Sequence, residues 1–160
     1  MSTLTEQIIE LLNHHHLKYI LKEHAPTPTS DDSARERGES KKIGAKALLF
    51  KTDQIFTLCI LPADRLIDSK KLKEILNIKK IRMATLEELK EHTSCDKGAV
   101  PPFGHLVNTN MIVDSALFEE EYMAFNAGSL TISIKMKTQD YKNIIKPTTA
   151  SFTTTLKSNE

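Results

Sequence analysis

Two apolar runs, "AKALLFK" and "IFTLCIL", lie one after the other and are separated only by "TDQ". Each has the length and the aliphatic, aromatic and β-branched content of a strand, and neither is long enough for a buried helix. Together they predict a hairpin at the centre of a sheet. Any fold for this chain must cover that hairpin, so the flanking segments are read for what can do so.

Upstream, Thr3 and Glu6 form a capping-box pair ahead of Ile8, Ile9, Leu11 and Leu12, which predicts a first helix. It is expected to end among His14, His15 and His16, where imidazoles suit the negative end of the helix dipole. Three consecutive histidines on a helix point in different directions and cannot converge on one metal ion, so they are read as a solvated helix end. "KYILKEH" is short and alternating, a strand. Thr29 or Ser30 can cap a short helix with Asp31 and Asp32 in its first turn and Gly38 near its end.

Downstream, Pro62 closes the second apolar run. Leu66, Leu72, Ile75 and Leu76 then give helical spacing through "DRLIDSKKLKEIL". "IRMA" predicts a strand, and Thr85 with Glu88 opens another helix by capping. After the loop "KGAVPPFGH" come strands at "MIVD", "YMAF" and "LTISIKM", and a last helix from Thr138 carrying Tyr141, Ile144 and Ile145. "PTTASFTTTLKSNE" has little to bury, and residues 147–160 are expected to form a loose or extended tail behind a single domain of residues 1–146. Strands with helices interspersed irregularly predict an α/β fold, α+β in character, with a mixed, curved or barrel-like sheet surrounded by helices.

Lys and Arg total 22 against 21 Asp and Glu, a net charge of +1. That is too balanced for a protein that grips long nucleic acid by charge alone, but it admits one that touches the end of an RNA. Arg65, Lys70, Lys71, Lys73, Lys79, Lys80 and Arg82 gather locally and are read first as a solvated face. No apolar run approaches the roughly 20 residues of a membrane helix, and the N-terminus lacks the pattern of a secretory signal. Two separated cysteines, Cys59 and Cys95, suggest no disulfide framework, and a cytoplasmic location is expected.

The chain lacks the sequence marks of a P-loop, a dinucleotide fingerprint, a nucleophile elbow or a metal-ligand series. Cys95 with His92 or His105 is a conceivable nucleophile pair, although a packed thiol is the simpler reading. Lys46 stands at the start of an otherwise apolar strand. It is either a snorkelling strand-end lysine or a cation fixed beside a pocket, able to bind a phosphate or polarise a carbonyl. In "GAVPPFG", Gly98 and Gly104 permit close backbone approach while Pro101 and Pro102 limit flexing. Such a loop can aim N–H groups at an acyl oxygen, or it can be a tight connection.

The ordered series "HAPTPTSDDSARERG", "GAKALLFK", "LIDSKKLKEIL", "IRMATLEEL", "GAVPPFG", "MIVD" and "FNAGSLTISIKM" resembles the YbaK/ProX-type aminoacyl-tRNA editing family, and through it the editing insertion of bacterial prolyl-tRNA synthetases. The likeness runs from about Leu17 to Ile145. It implies hydrolysis of the ester joining a wrong amino acid to a tRNA acceptor end, without metal or other cofactor and with help from a ribose hydroxyl. Lys46 matches the functional lysine of that family. Gly98 and Pro102 match its Gly-x-x-x-P loop, so Ala99, Val100, Pro101, Phe103 and Gly104 are expected against the aminoacyl group as well. Thr29 and Ser30 are expected on one side of the pocket, with Asn126, Gly128 and Ser129 on another. Asn126 departs from the histidine of some alanine-editing relatives, which leaves serine, threonine, alanine or cysteine as candidate amino acids. A synthetase partner is a further expectation. The rival readings are a catalytically inactive module that binds aminoacyl-tRNA or an amino acid, and a hydrolase of smaller esters or amides.

Overall fold

The central hairpin forms as β2 (Ala45–Thr52) and β3 (Ile55–Pro62), antiparallel with Leu48 opposite Cys59. Asp53 turns the corner at φ 57, and its carboxylate accepts the N–H groups of Lys79 and Lys80. The computed structural model describes residues 2–27 and 29–155. Around the hairpin the chain runs α1 (Leu4–His14), β1 (Tyr19–Glu23) and α2 (Ser30–Arg37) before it. After it come β4 (Arg65–Ile67), α3 (Ser69–Leu76), β5 (Ile81–Met83), α4 (Leu86–Thr93), β6 (Asn110–Asp114), β7 (Tyr122–Asn126), β8 (Ile132–Lys137), α5 (Thr138–Ile145), β9 (Thr148–Ala150) and β10 (Thr153–Thr155).

A five-stranded sheet has the order β5-β2-β3-β6-β9, with β3–β6 and β6–β9 parallel and the remaining pairs antiparallel. It is the mixed sheet expected. A three-stranded antiparallel sheet, β1-β8-β7, meets the start of β2 through one parallel bridge between Gly44 and Ala124, and β10 pairs with β4. Among the described residues none of these sheets closes into a barrel. No described helix is long and apolar enough to cross a membrane.

The apolar run in β3 is explained by burial on both faces. Leu58 and Ile60 join a large core with Ile8, Leu12, Val113, Phe125 and Tyr141, while Cys59 joins a second cluster with Phe50, Leu72, Ile112 and Phe152. Each fully buried aliphatic side chain there contributes roughly 1.5–3 kcal/mol of transfer free energy. Burial pushes the Cys59 thiol up to about 12, which makes it an inert packing group.

Two expectations need correction. Residues 65–67 are strand rather than helix, and α3 begins only after Asp68, whose carboxylate caps Lys71 N–H. The expected tail is tied down as far as Thr155. Phe152 is fully buried, and its N–H donates to Asp114 Oδ1 at 2.9 Å. Thr153 donates to Asp114 Oδ2 at 2.8 Å and accepts from Arg65 Nε at 2.6 Å. One phenylalanine and one buried carboxylate anchor a segment whose composition is otherwise that of a solvated linker. Residues 156–160 lie outside the described residues.

Candidate functional site

A concavity of about 670 Å³ opens between α2, β2, α4 and the glycine-proline loop. Its walls follow from local sequence. Thr29 caps α2 by accepting Asp32 N–H, and Gly38 ends the helix at φ 69. This sets the phase that turns Ser30, Ser33, Ala34 and Arg37 toward the cleft, an i, i+3, i+4, i+7 face. A short turn capped by Ser40 leads into Gly44, where a Cβ would come within 3.2 Å of Ala63 Cβ, and β2 then carries Lys46 along the floor. The reciprocal capping box of Thr85 and Glu88 starts α4, whose Leu86 and Leu89 form an apolar lip with Met83.

Lys46 and Gly98 line this same cleft, from β2 and from the loop after α4. Thr29, Ser30, Val100 and Asn126 line it too, so the structure brings together these six of the residues singled out from the sequence. The others stand elsewhere. Ala99 is buried in the core and accepts Gly128 N–H through its carbonyl at 3.0 Å. Pro101 and Pro102 are buried, and the Pro102 carbonyl accepts Tyr141 Oη–H at 2.6 Å. Phe103 packs edge-on against Phe125 and Tyr141, at ring distances of 5.3 and 5.7 Å. Gly104 opens a 3-10 turn. Gly128, at φ 82, lies against Leu4, and Ser129 pairs with Thr131. The expectation that the whole loop lines the pocket is therefore corrected: Gly98 and Val100 do, and Ala99 with Pro101 to Gly104 belongs to the core.

The electrostatics are one-sided. Arg37, Lys41, Lys46 and Lys97 line the cleft, and no carboxylate does among the described lining residues. Burial lowers the Lys46 ammonium below its ordinary range, nearby Lys41 pushes the same way, and Asp64 opposes them. Burial lowers Arg37 to about 10 against the pull of Glu39, so its guanidinium is charged at neutral pH. A cavity of this kind suits an anionic ligand whose carbonyl or phosphoryl oxygen can be polarised. Among the described residues, neither Gly98 N–H nor Val100 N–H is taken by a protein acceptor.

Cys95 is buried and does not line the cleft, and burial raises its thiol, with opposing help from Thr93 and Lys90. His92 lies tilted against Phe56 and His105 edge-on to Phe103, and among the described residues neither histidine is hydrogen-bonded to that thiol. Sequence reading missed Arg37, Lys41, Lys97, Thr27 and Ser33 as cleft residues. The helical spacing of Ser30, Ser33 and Arg37 was the available signal for two of them. Nothing local marks Thr27 or Lys97.

With the geometry in hand, three comparisons bear on it. The family model of the aminoacyl-tRNA editing domain matches residues 24–144. The chain is 31% identical over 156 residues, 94% of this chain and 93% of the relative, to the multifunctional Ser/Thr-tRNA deacylase ProXp-y of Escherichia coli K12. It is 29% identical over 72 residues, 45% of this chain and 13% of the relative, to a proline–tRNA ligase of Geobacillus sp. WCH70. Among solved structures, a hypothetical protein superposes with TM-score 0.83 and 21% identity, covering 93% of this chain and 100% of the other. A candidate trans-editing enzyme for prolyl tRNA synthetase superposes with TM-score 0.80 at 21% identity over 96% of this chain and 99% of the other. Those superpositions establish the fold.

Proposed function

The chain belongs to the aminoacyl-tRNA editing domain family, and from that premise we propose that it hydrolyses, in trans, the ester bond between a wrong amino acid and the 3′ end of a tRNA. One observation supports this above the others. Lys46 and Gly98 line one and the same cleft, which carries four cations and, among its described lining residues, no carboxylate.

Such a site works by holding the ester and stabilising charge. Water adds to the ester carbonyl carbon, and the developing oxyanion is stabilised by the Lys46 ammonium and by the N–H groups of Gly98 and Val100. The bond from that carbon to the ribose oxygen then breaks. The proton lost by water ends on the ribose oxygen, so one water is consumed and a free amino acid and an uncharged tRNA are released. A neighbouring ribose hydroxyl assists the attack, in keeping with the lack of a cysteine or carboxylate nucleophile among the described lining residues. Lys41 and Lys97 are suited to the phosphates of the acceptor end.

A small hydroxylated amino acid, serine or threonine, is the preferred substrate, with alanine and cysteine following. Size alone separates such neighbours by only about 1–3 kcal/mol, so polar groups at the Ser33 end of the cleft supply the remainder. The likeness to part of a proline–tRNA ligase supports a synthetase partner, and the reaction fits the cytoplasm, where tRNA is charged.

The test is a panel of tRNAs charged with serine, threonine, alanine or cysteine, with free amino acid as the readout. The wild-type protein releases amino acid, and Lys46→Ala loses about 100-fold in rate, the magnitude typical of removing one oxyanion-stabilising group, while its melting temperature is held. Full activity in Lys46→Ala would remove the lysine from the mechanism. No release from any charged tRNA would overturn the reading itself.

A further inference from the structure

Asn126 faces the cleft, yet its amide has nothing left to offer a substrate. Nδ2 donates to the Gly98 carbonyl at 2.7 Å and to Thr27 Oγ1 at 3.4 Å. Oδ1 accepts from Ser133 Oγ at 3.1 Å and from Arg37 Nη2 at 3.3 Å. Both N–H donors are committed, and Oδ1 is held by Arg37 and Ser133, whose Oγ also lies 2.7 Å from His24 Nε2. The side chain is 7% exposed and Ser133 is 3% exposed, so water is a poor competitor for these bonds.

The arrangement also fixes which way the amide points. Ser133 lies directly across β8 from Asn126 on β7, and Arg37 bonds both, with Nε 3.0 Å from Ser133 Oγ. A flipped amide would set Oδ1 against the Gly98 carbonyl oxygen and its NH₂ against a guanidinium, so both ends would repel. At the far end of the chain of bonds, Gly98 sits at φ 88. The peptide that joins it to Ala99 is held at its carbonyl by Asn126 and at its N–H by the Asp96 carbonyl, at 3.0 Å. The Ala99 carbonyl is in turn taken by Gly128 N–H. The loop that lines the cleft with Lys46 is thus clamped peptide by peptide.

We propose that Asn126 is a positioning residue for the Gly98 loop rather than a contact for the amino-acid side chain, and that Ser133 and Arg37 act through it by locking its amide orientation. This rests on the deacylase reading for its kinetic consequence but not for its structural one. The two are separated by measuring deacylation across the amino-acid panel beside amide hydrogen exchange at Ala99.

Asn126→Asp keeps the shape and the partnership with Arg37 but replaces the donor to Gly98 with an acceptor. Loss of one buried hydrogen bond, made worse by repulsion, lowers kcat about tenfold. That loss falls equally on every amino acid, with KM nearly unchanged, the melting temperature lowered by several degrees and exchange at Ala99 accelerated. Ser133→Ala gives the same pattern, smaller. A changed order of preference among serine, threonine and alanine with the overall rate retained would put the amide on the substrate and overturn the proposal. So would unchanged exchange at Ala99 in Asn126→Asp. If the wild-type protein deacylates nothing, the functional reading fails, and the exchange measurement still decides the clamp.

Discussion

The two halves of the loop "KGAVPPFGH" have similar composition and opposite fates. Lys97 and Gly98 are exposed at the cleft, and Gly98 takes φ 88, a conformation that side chains rarely adopt. Pro101 to Gly104 are buried, and Gly104 is small for a different reason. A Cβ there would meet Thr109 O at 2.7 Å and Met111 Cβ at 2.8 Å. The first glycine serves backbone shape at a site, and the second serves packing. Glycine beside proline in a sequence therefore marks a demanding backbone without saying which demand it meets.

The contrast can be broken experimentally. The largest effect is expected at the first half. Gly98→Val places a β-branched residue at positive φ, a strain of about 1–3 kcal/mol, and deacylation falls roughly tenfold to a hundredfold in a protein that still folds. Normal kinetics in this variant would remove the loop from the site. Next comes Gly104→Val, which overpacks the core by about 1–3 kcal/mol and lowers the melting temperature by several degrees, while kcat per folded molecule is retained. Lost activity without lost stability would mean that the second half also belongs to the site. The smallest effect is expected from Tyr141→Phe, which removes the donor to the Pro102 carbonyl and costs about 1 kcal/mol in denaturant unfolding. Its deacylation should match wild type, and a fall in kcat would show that the two halves are coupled through Pro102.

The elements that were legible in the sequence are those whose signals are local. Thr3, Thr29 and Thr85 each cap a helix within three residues, and the β2–β3 hairpin announces itself by two adjacent apolar runs. β4 was illegible because its Leu66 fits the helical spacing of the segment that follows, and β10 because "TTT" carries no apolar residue; the two pair with each other, and Thr153 is tied to Asp114, far from both in sequence. Lys46 and Gly98 were legible as candidates through a motif resemblance, whereas Arg37 was hidden in a charged helix face until α2 docked against the cleft.

From its residues alone the chain settles where α1, α2 and α4 start, that the two long apolar runs become strands, and that Lys46 and a stiff glycine loop are unusual. Only the tertiary structure decides that Gly98 lines the same cleft as Lys46 while Phe103 turns into the core, and that the Asn126 amide is committed to the loop. The reason is the reach of the interactions. Capping and periodicity act over a turn or two of chain, but hydrogen-bond saturation depends on partners from α2, β7, β8 and the loop, which meet only when the core closes.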